Sequence, residues 1–236
     1  MAHSAISYSQ ALSARQKTSP TATPAQPQPT SIVVSKGSIR AYTKANPLDR
    51  NRKADHRPRI SHDEANVYVL TLNTTPSLSN PLTALRDKHF PVHLNHTPAH
   101  LTMFHALPGS ERDGIVAALE ELCRNIWPFK VTTGAPFRLK RGVGISVAQG
   151  LEDAQRVHRE LQQRWSGILS AQDSQSWRPH WTIQNKVDEE VVAVKTMDEV
   201  QTEFQGAEGT ADGVVLFLCD KGRWRYESHF EFGRSK

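Results

Sequence analysis

Cysteine and long apolar runs are both scarce in this chain of 236 residues. Its two cysteines, Cys123 and Cys219, lie far apart, and neither belongs to a Cys-x-x-Cys pair. This excludes a disulfide framework and a zinc knuckle, and it is typical of core cysteines in a reducing compartment. No apolar run approaches the roughly 18 residues of a membrane span, and there is no signal-peptide core. We therefore expect an intracellular protein, cytoplasmic or nuclear, that does not enter a membrane.

Acidic residues are scarce in the N-terminal segment, where the first is Asp49. Residues 1–60 hold ten Lys and Arg against two Asp, a net charge of +8, which leaves −3 for residues 61–236. The segment is rich in Ser, Thr, Ala, Gln and Pro and has no sustained helix or strand period, so we predict a disordered basic leader over 1–60. Such an arm would add non-specific affinity for nucleic acid. Its composition also fits a mitochondrial targeting peptide.

The rest of the chain alternates strand-like and helix-like segments. The run NVYVLTLN is strand-like, and an apolar stripe at helical spacing follows Ser110. The order β-α-β-α-β-β occurs twice, over about residues 64–141 and 142–233, with the last two strands of the first unit separated around Pro136. We predict an α+β fold built from this duplicated unit. A pseudo-twofold axis would bring equivalent strands together at one cleft of a monomer.

The most specific pattern is a His-x-Thr motif that occurs once in each half. Of the eleven histidines, only His100 and His180 have a threonine two positions later, Thr102 and Thr182. Each motif falls on the second predicted strand of its half. Side chains two apart on a strand point the same way, so each histidine should share a face with its threonine. The duplication then predicts that all four side chains line one site.

Two histidines and two threonines form a set suited to phosphodiester chemistry. One imidazole can take a proton from an attacking oxygen while the other supplies a proton to a leaving oxygen. Threonine hydroxyls can donate hydrogen bonds to the oxygens on which charge develops. We predict no metal and no other cofactor, because carboxylate ligands are absent beside either motif. The spacing of His89, His93, His96 and His100 would form a row on one helix, but Pro91 and Pro98 interrupt it, which rules against a helical metal site.

The segments HLTM and PHWTI resemble the two strand tetrads of the 2H phosphoesterase superfamily, and within it the 2'-5' RNA ligase-like proteins and cyclic phosphodiesterases. The resemblance covers about residues 64–233. It implies a bilobal α+β fold with antiparallel sheets around a central cleft. It also implies metal-independent cleavage of 2',3'-cyclic phosphates or 2'-5' linkages in RNA ends or small nucleotides, with ligation as the reverse reaction. His100 and His180 would be the acid and base pair, in an unspecified order, and Thr102 and Thr182 would hold the phosphate.

Four further residues are candidate substrate contacts. Phe104 and Gln184 share strand parity with the motif residues, so we expect them on the floor of the cleft. Phe104 would stack a base there, with a plain packing role as the alternative. Trp177 and Arg178 precede the second motif and would contact a base or a phosphate. Packing for Trp177 and a surface position for Arg178 are the alternatives. His105 has the opposite parity, which predicts a position on the core side or a role as a hydrogen-bond partner.

The main alternative to an enzyme is a module that binds RNA or a nucleotide without turning it over. It would use the same cleft together with the basic leader. Histidine and threonine in both motifs favour the enzyme, because holding a ligand does not require two titratable imidazoles. The segment 166–177, SGILSAQDSQSW, has few apolar anchors, and we predict a loop over the cleft there.

Overall fold

The computed structural model describes residues 64–220 and 223–233, so the predicted leader over 1–60 lies outside the described residues. The described part folds into seven strands and four helices, which confirms the predicted α+β class. The strands are β1 (Val67–Thr74), β2 (Leu101–Pro108), β3 (Phe129–Leu139), β4 (Gly142–Val147), β5 (His180–Gln184), β6 (Glu208–Asp220) and β7 (Arg223–Glu231). The helices are α1 (Pro76–His89), α2 (Arg112–Arg124), α3 (Leu151–Arg164) and α4 (Glu190–Glu203).

The strand order of the antiparallel sheet reflects the predicted duplication. It reads β2-β1-β6-β3-β4-β5, with β7 added to β6. If each strand of the first half is exchanged for its equivalent in the second, the same order reads backwards, as a pseudo-twofold axis requires. The third strand of each half pairs with the first strand of the other, β6 with β1 and β3 with β4. The two halves therefore complete each other's sheet.

The third strand of the first half differs from the sequence-based expectation. We expected two strands around Pro136, but β3 is one strand, and its register with β4 shifts between Thr133 and Pro136. Proline has no N–H for the ladder, and a bulge accommodates it without ending the strand. The first part of β3 pairs with β6 and the later part with β4. The predicted lobe boundary at 141/142 falls in the turn after β3, and the division into two lobes stays a prediction.

The helices place apolar stripes on the sheet. Their buried residues recur at helical spacing and join strand residues such as Leu70 and Ile145 in one hydrophobic core. The helical members include Leu78 and Leu82 of α1, Ile115, Leu119 and Leu122 of α2, Ala154, Val157 and Leu161 of α3, and Val200 of α4. In the described part of the chain, no helix has both the length and the apolar content needed to cross a membrane.

Candidate active site

The two His-x-Thr motifs line one cavity of about 340 Å³. His100 and Thr102 enter it from the start of β2, and His180 and Thr182 enter it from β5. The structure thus brings together the four residues that the duplication placed in one site. The other lining residues are Met103, His105, His158, Gln172, Asp173, Gln175, Ser176, Trp177 and Arg178.

Both motif histidines are held by the same local hydrogen bond. The Nδ1 atom of His100 lies 2.7 Å from the carbonyl oxygen of Pro98, and Nδ1 of His180 lies 2.9 Å from that of Arg178. A carbonyl oxygen only accepts, so Nδ1 carries the hydrogen in both rings. The Nε2 atom of the neutral ring then keeps its lone pair. Each ring can accept a proton at Nε2 or, once protonated, donate one from it.

A β-bulge follows the first motif. Thr71 of β1 pairs with Thr102, but the next residue of β1, Leu70, pairs with Phe104 instead of Met103. The extra residue in β2 reverses the strand faces beyond the motif. Accordingly, the less buried positions of β2 are Thr102 and His105, three residues apart instead of two.

The second motif has the same bulge at the equivalent position. Gly144 of β4 pairs with Thr182, but Val143 pairs with Gln184. Ile183 and Gln184 are both buried, as expected when one extra residue follows the threonine. The pseudo-twofold relation therefore includes the irregularity of the two strands as well as their order.

The bulges overturn two of the predicted substrate contacts. Phe104 is fully buried and stacks on His158, with ring centroids 4.5 Å apart, so it does not form the floor of the cleft. Gln184 is also buried, and its Nε2 donates to the hydroxyl of Thr196 at 2.7 Å. The same change of face brings His105 to the cavity, where strand parity had not placed it.

Each bulge leaves a backbone carbonyl that a side chain of another element satisfies. The carbonyl oxygen of Thr102 accepts a hydrogen bond of 2.7 Å from Nε1 of Trp177. The carbonyl oxygen of Thr182 accepts one of 2.6 Å from Nη1 of Arg86. Buried backbone carbonyls require such partners. Trp177 therefore has a structural role while it also lines the cavity, beside the exposed Arg178.

Arg86 on α1 is a buried cation behind the site. Besides the Thr182 carbonyl, its Nε donates to Oδ1 of Asn95 at 2.9 Å and to the carbonyl oxygen of Thr97 at 3.1 Å. Its guanidinium lies over the ring of Phe90, 3.8 Å from the centroid. Burial lowers the pKa of Arg86 to about 10, although Asp87 opposes the shift. One side chain thus connects the loop before the first motif to the second motif.

The environment of His100 favours the neutral imidazole. Burial lowers its pKa to about 4, against the hydrogen bond to Pro98, and the nearby positive charge of Arg86 adds to the lowering. The ring of Trp224 packs on it with centroids 4.6 Å apart. The ring of His180 meets the edge of Phe137 at 5.5 Å. At neutral pH, His100 therefore presents an unprotonated Nε2.

A buried carboxylate anchors the loop segment 166–177 to β2. Asp173 accepts hydrogen bonds of 2.9 Å from the backbone N–H groups of His105 and Ala106, and its Oδ1 lies 3.1 Å from Nδ1 of His105. Burial would raise the pKa of Asp173, but the contacts with His105 and Ala106 outweigh it and lower the pKa. The sequence did not place His105 or Asp173 at the cavity, because their approach depends on the bulge in β2.

His158 forms the centre of an aromatic stack at the wall of the cavity. It is 2% exposed, and its ring stacks on Phe104 at 4.5 Å and on Trp177 at 5.0 Å. Burial lowers its pKa to about 4, against a hydrogen bond to the backbone of Met103. The stack links the core of the first half to the segment that precedes the second motif.

The substitution His158→Phe should make the protein less sensitive to acid. In the unfolded chain a histidine titrates near 6.5, whereas His158 in the folded protein resists protonation until about pH 4. Falling pH in this range therefore favours the unfolded state, by about 3 kcal/mol at pH 4. Urea denaturation at pH 7 and pH 4 should show that the variant loses about 3 kcal/mol less than the wild type between them. Equal losses of unfolding free energy in the variant and the wild type would contradict the lowered pKa of His158.

Metal-binding side chains do not cluster in the described ranges 64–220 and 223–233. No group of three or more His, Cys, Asp or Glu there could hold a metal ion. In the row of histidines before the first motif, His89 ends α1 and His93 lies in a short 3-10 turn. Of that row, only His100 lines the cavity between the motifs.

Comparison with known proteins agrees with the motifs and the fold. A model of the 2'-5' RNA ligase superfamily matches residues 74–223. Among curated proteins, none matches this chain in sequence.

Solved structures of several proteins share the fold at low sequence identity. TT0787 of Thermus thermophilus is 16% identical with a TM-score of 0.52, over 71% of this chain and 98% of its own. A structure described as a phosphoesterase is 13% identical with a TM-score of 0.52, over 72% and 99%. E. coli LigT complexed with 3'-AMP is 15% identical with a TM-score of 0.51, over 72% and 99%.

Proposed function

This chain belongs to the 2'-5' RNA ligase superfamily, and we propose that it is a metal-independent phosphoesterase acting on 2',3'-cyclic phosphates or 2'-5' linkages. Its substrates would be RNA ends or small nucleotides. The family supports an enzyme of the 2H phosphoesterase type, as the resemblance of HLTM and PHWTI predicts. The observation that carries the proposal is the pair of histidines, His100 and His180, which share one tautomer and one cavity.

The environment of His100 supports its role as the base. His100, neutral at working pH, would take the proton of an attacking water at Nε2. The water oxygen bonds to phosphorus, the bond from phosphorus to a ribose oxygen breaks, and protonated His180 supplies that oxygen with its proton. Thr102 and Thr182 would donate hydrogen bonds to the phosphate oxygens. An RNA hydroxyl in place of water would give ligation with the same groups.

Known structures of the same fold support a nucleotide ligand. E. coli LigT has been crystallised with phosphate and with 3'-AMP. A nucleoside monophosphate is also the type of product that hydrolysis of a 2',3'-cyclic mononucleotide would leave. In this chain, a phosphate between Thr102 and Thr182 would lie within reach of both imidazoles of the shared cavity.

The test of the proposal is turnover of an RNA oligonucleotide that ends in a 2',3'-cyclic phosphate, in excess EDTA. We expect conversion to a terminal phosphomonoester at an undiminished rate, because proton transfer by two imidazoles needs no metal. Cyclic mononucleotides and 2'-5' dinucleotides complete the substrate panel. Failure of the folded wild type to turn over any of them would favour the non-catalytic binding module.

The pH dependence of kcat/KM tests the assignment of the base. The rate should rise with pH through about 4, as His100 loses its proton, because only the neutral ring can accept one. It should fall again at higher pH, because the reaction also needs a protonated acid. Rates measured from pH 3 to 9 in buffers of constant ionic strength define both limbs. An acidic limb at pH 6 or above would contradict His100 as the base.

A further inference from the structure

A second cavity, of about 290 Å³, lies next to the first and shares His100 with it. Trp224 and Phe217 provide aromatic surface, and Thr71, Asn73 and Ser79 provide hydroxyl and amide groups. Among the described residues that line this cavity, none is Asp or Glu. The cavity therefore combines an aromatic face with uncharged polar groups, and it adjoins one of the two proposed proton-transfer groups.

The aromatic face exists because of a bulge in β7. Leu216 of β6 pairs with Ser228, but the next residue, Phe217, pairs with Tyr226, so one extra residue lies in β7 between them. Beyond the bulge, Trp224 and Tyr226 share the face of Phe217, away from the buried Leu216. The rings of Phe217 and Trp224 are 5.6 Å apart. Tyr226, 65% exposed, extends the aromatic surface beyond the cavity.

These features suit a nucleoside. Nucleobases stack on aromatic side chains, and an uncharged polar wall can accept their hydrogen bonds without repelling the phosphate. Pockets for small ligands typically measure roughly 300–1,000 Å³. The two cavities, about 340 and 290 Å³, lie at the lower end of that range, so each fits one nucleoside. His100 lines both cavities, so a terminal nucleoside whose phosphate lies at the motifs would have its neighbour in the strand on the other side of His100.

We infer that the Trp224 cavity binds a second nucleoside, so that the preferred substrate is an RNA strand of at least two nucleotides and not a mononucleotide. This inference rests on the proposed phosphoesterase function. One nucleoside occupies the cavity between the motifs, and its neighbour along the strand stacks on Trp224.

Two substrates that share the reacting bond but differ in the number of nucleosides measure the contribution of the second nucleoside. They are adenosine 2',3'-cyclic phosphate and the dinucleotide ApA that ends in a 2',3'-cyclic phosphate. We expect kcat/KM of the wild type to favour the dinucleotide. Trp224→Leu keeps an apolar side chain beside His100 but removes the stacking surface, and it should lower the ratio of the two kcat/KM values about tenfold. Trp224→Phe should retain most of the ratio.

A ratio that Trp224→Leu leaves unchanged would overturn the inference. If both substrates lose activity equally, Trp224 acts only through its contact with His100, because a subsite affects the dinucleotide more. Trp127→Leu is the control, since Trp127 is 79% exposed and lines neither cavity. It should leave the ratio at the wild-type value.

Equilibrium binding separates this inference from the proposed reaction. If the wild type turns over neither of these substrates nor any other of the panel, the phosphoesterase proposal fails, and binding of the 3'-phosphorylated dinucleotide ApAp is compared with binding of 3'-AMP. Tighter binding of ApAp that is lost in Trp224→Leu would support the nucleoside site in a binding module. Equal affinities of the wild type for the two ligands would overturn it.

Discussion

Replacement of either His100 or His180 by alanine should lower kcat/KM for a 2',3'-cyclic phosphate substrate by about 10³-fold. Each ring is fixed by a hydrogen bond from Nδ1 to a backbone carbonyl two residues earlier, so no alternative nitrogen faces the phosphate. Alanine removes the proton-transfer group and leaves the rest of the cavity in place. The measurement is steady-state hydrolysis, with folding of each variant checked by thermal unfolding.

The double variant sharpens this prediction. If the two histidines act in one proton-transfer cycle, the loss in the double variant should be close to the loss in each single variant, because a step without its base gains little from its acid. His93→Ala is a matched control, because His93 is exposed and lies outside the cavity. Losses below tenfold in both single variants would contradict acid and base catalysis by this pair.

The second large effect is expected at Arg86, a positioning residue. Arg86→Met removes three hydrogen bonds and leaves the carbonyls of Thr97 and Thr182 without their charged donor. Unsatisfied buried carbonyls cost about 1–3 kcal/mol each, so we expect the free energy of unfolding to fall by about 3 kcal/mol. Displacement of the second motif should lower kcat about 10²-fold. Denaturant unfolding and steady-state kinetics measure the two effects.

The pH profile distinguishes a positioning role of Arg86 from a loss of stability alone. The charge of Arg86 contributes to the low pKa of His100, so its removal in Arg86→Met should move the acidic limb of the rate profile to higher pH. Arg86→Lys keeps the charge, but a lysine ammonium lacks the planar guanidinium that reaches all three acceptors. It should keep the acidic limb at the wild-type pH while kcat still falls.

Arg112→Met controls for the loss of an arginine. Arg112 is partly exposed and pairs with Glu227 at 2.8 Å, and surface pairs of this kind contribute at most about 1 kcal/mol. Its kcat should match that of the wild type. If Arg86→Met were as stable and as active as this control, the proposed connection between the two motifs would be wrong.

The sequence predicts the parts of this site that depend on local pattern. Strand runs, helical stripes and the repeated His-x-Thr motif are visible along the chain, so the α+β class and the gathering of His100, Thr102, His180 and Thr182 follow from them. The duplication adds the matching positions of the two strands. No long-range pairing had to be known for these inferences.

The incorrect predictions of strand face have one physical origin, the β-bulges in β2 and β5. A β-bulge depends on pairing with a neighbouring strand. Parity along β2 and β5 holds as far as Thr102 and Thr182 and then reverses, which buries Phe104 and Gln184 and turns His105 to the cavity. Residues opposite each bulge come from other segments of the chain. A strand read by itself contains no signal for the extra residue.

The pairing of strands between the two halves also affects how the protein folds during its synthesis. Val67, near the start of β1, pairs with Cys219, near the end of β6, so the sheet of the first half stays incomplete until the C-terminal strands have left the ribosome. Pairings between distant segments form late and slowly, because the intervening chain must close a long loop first. Until then β1 has an open edge that can pair with other chains. The nascent protein would therefore gain its activity only after β6 has been synthesised.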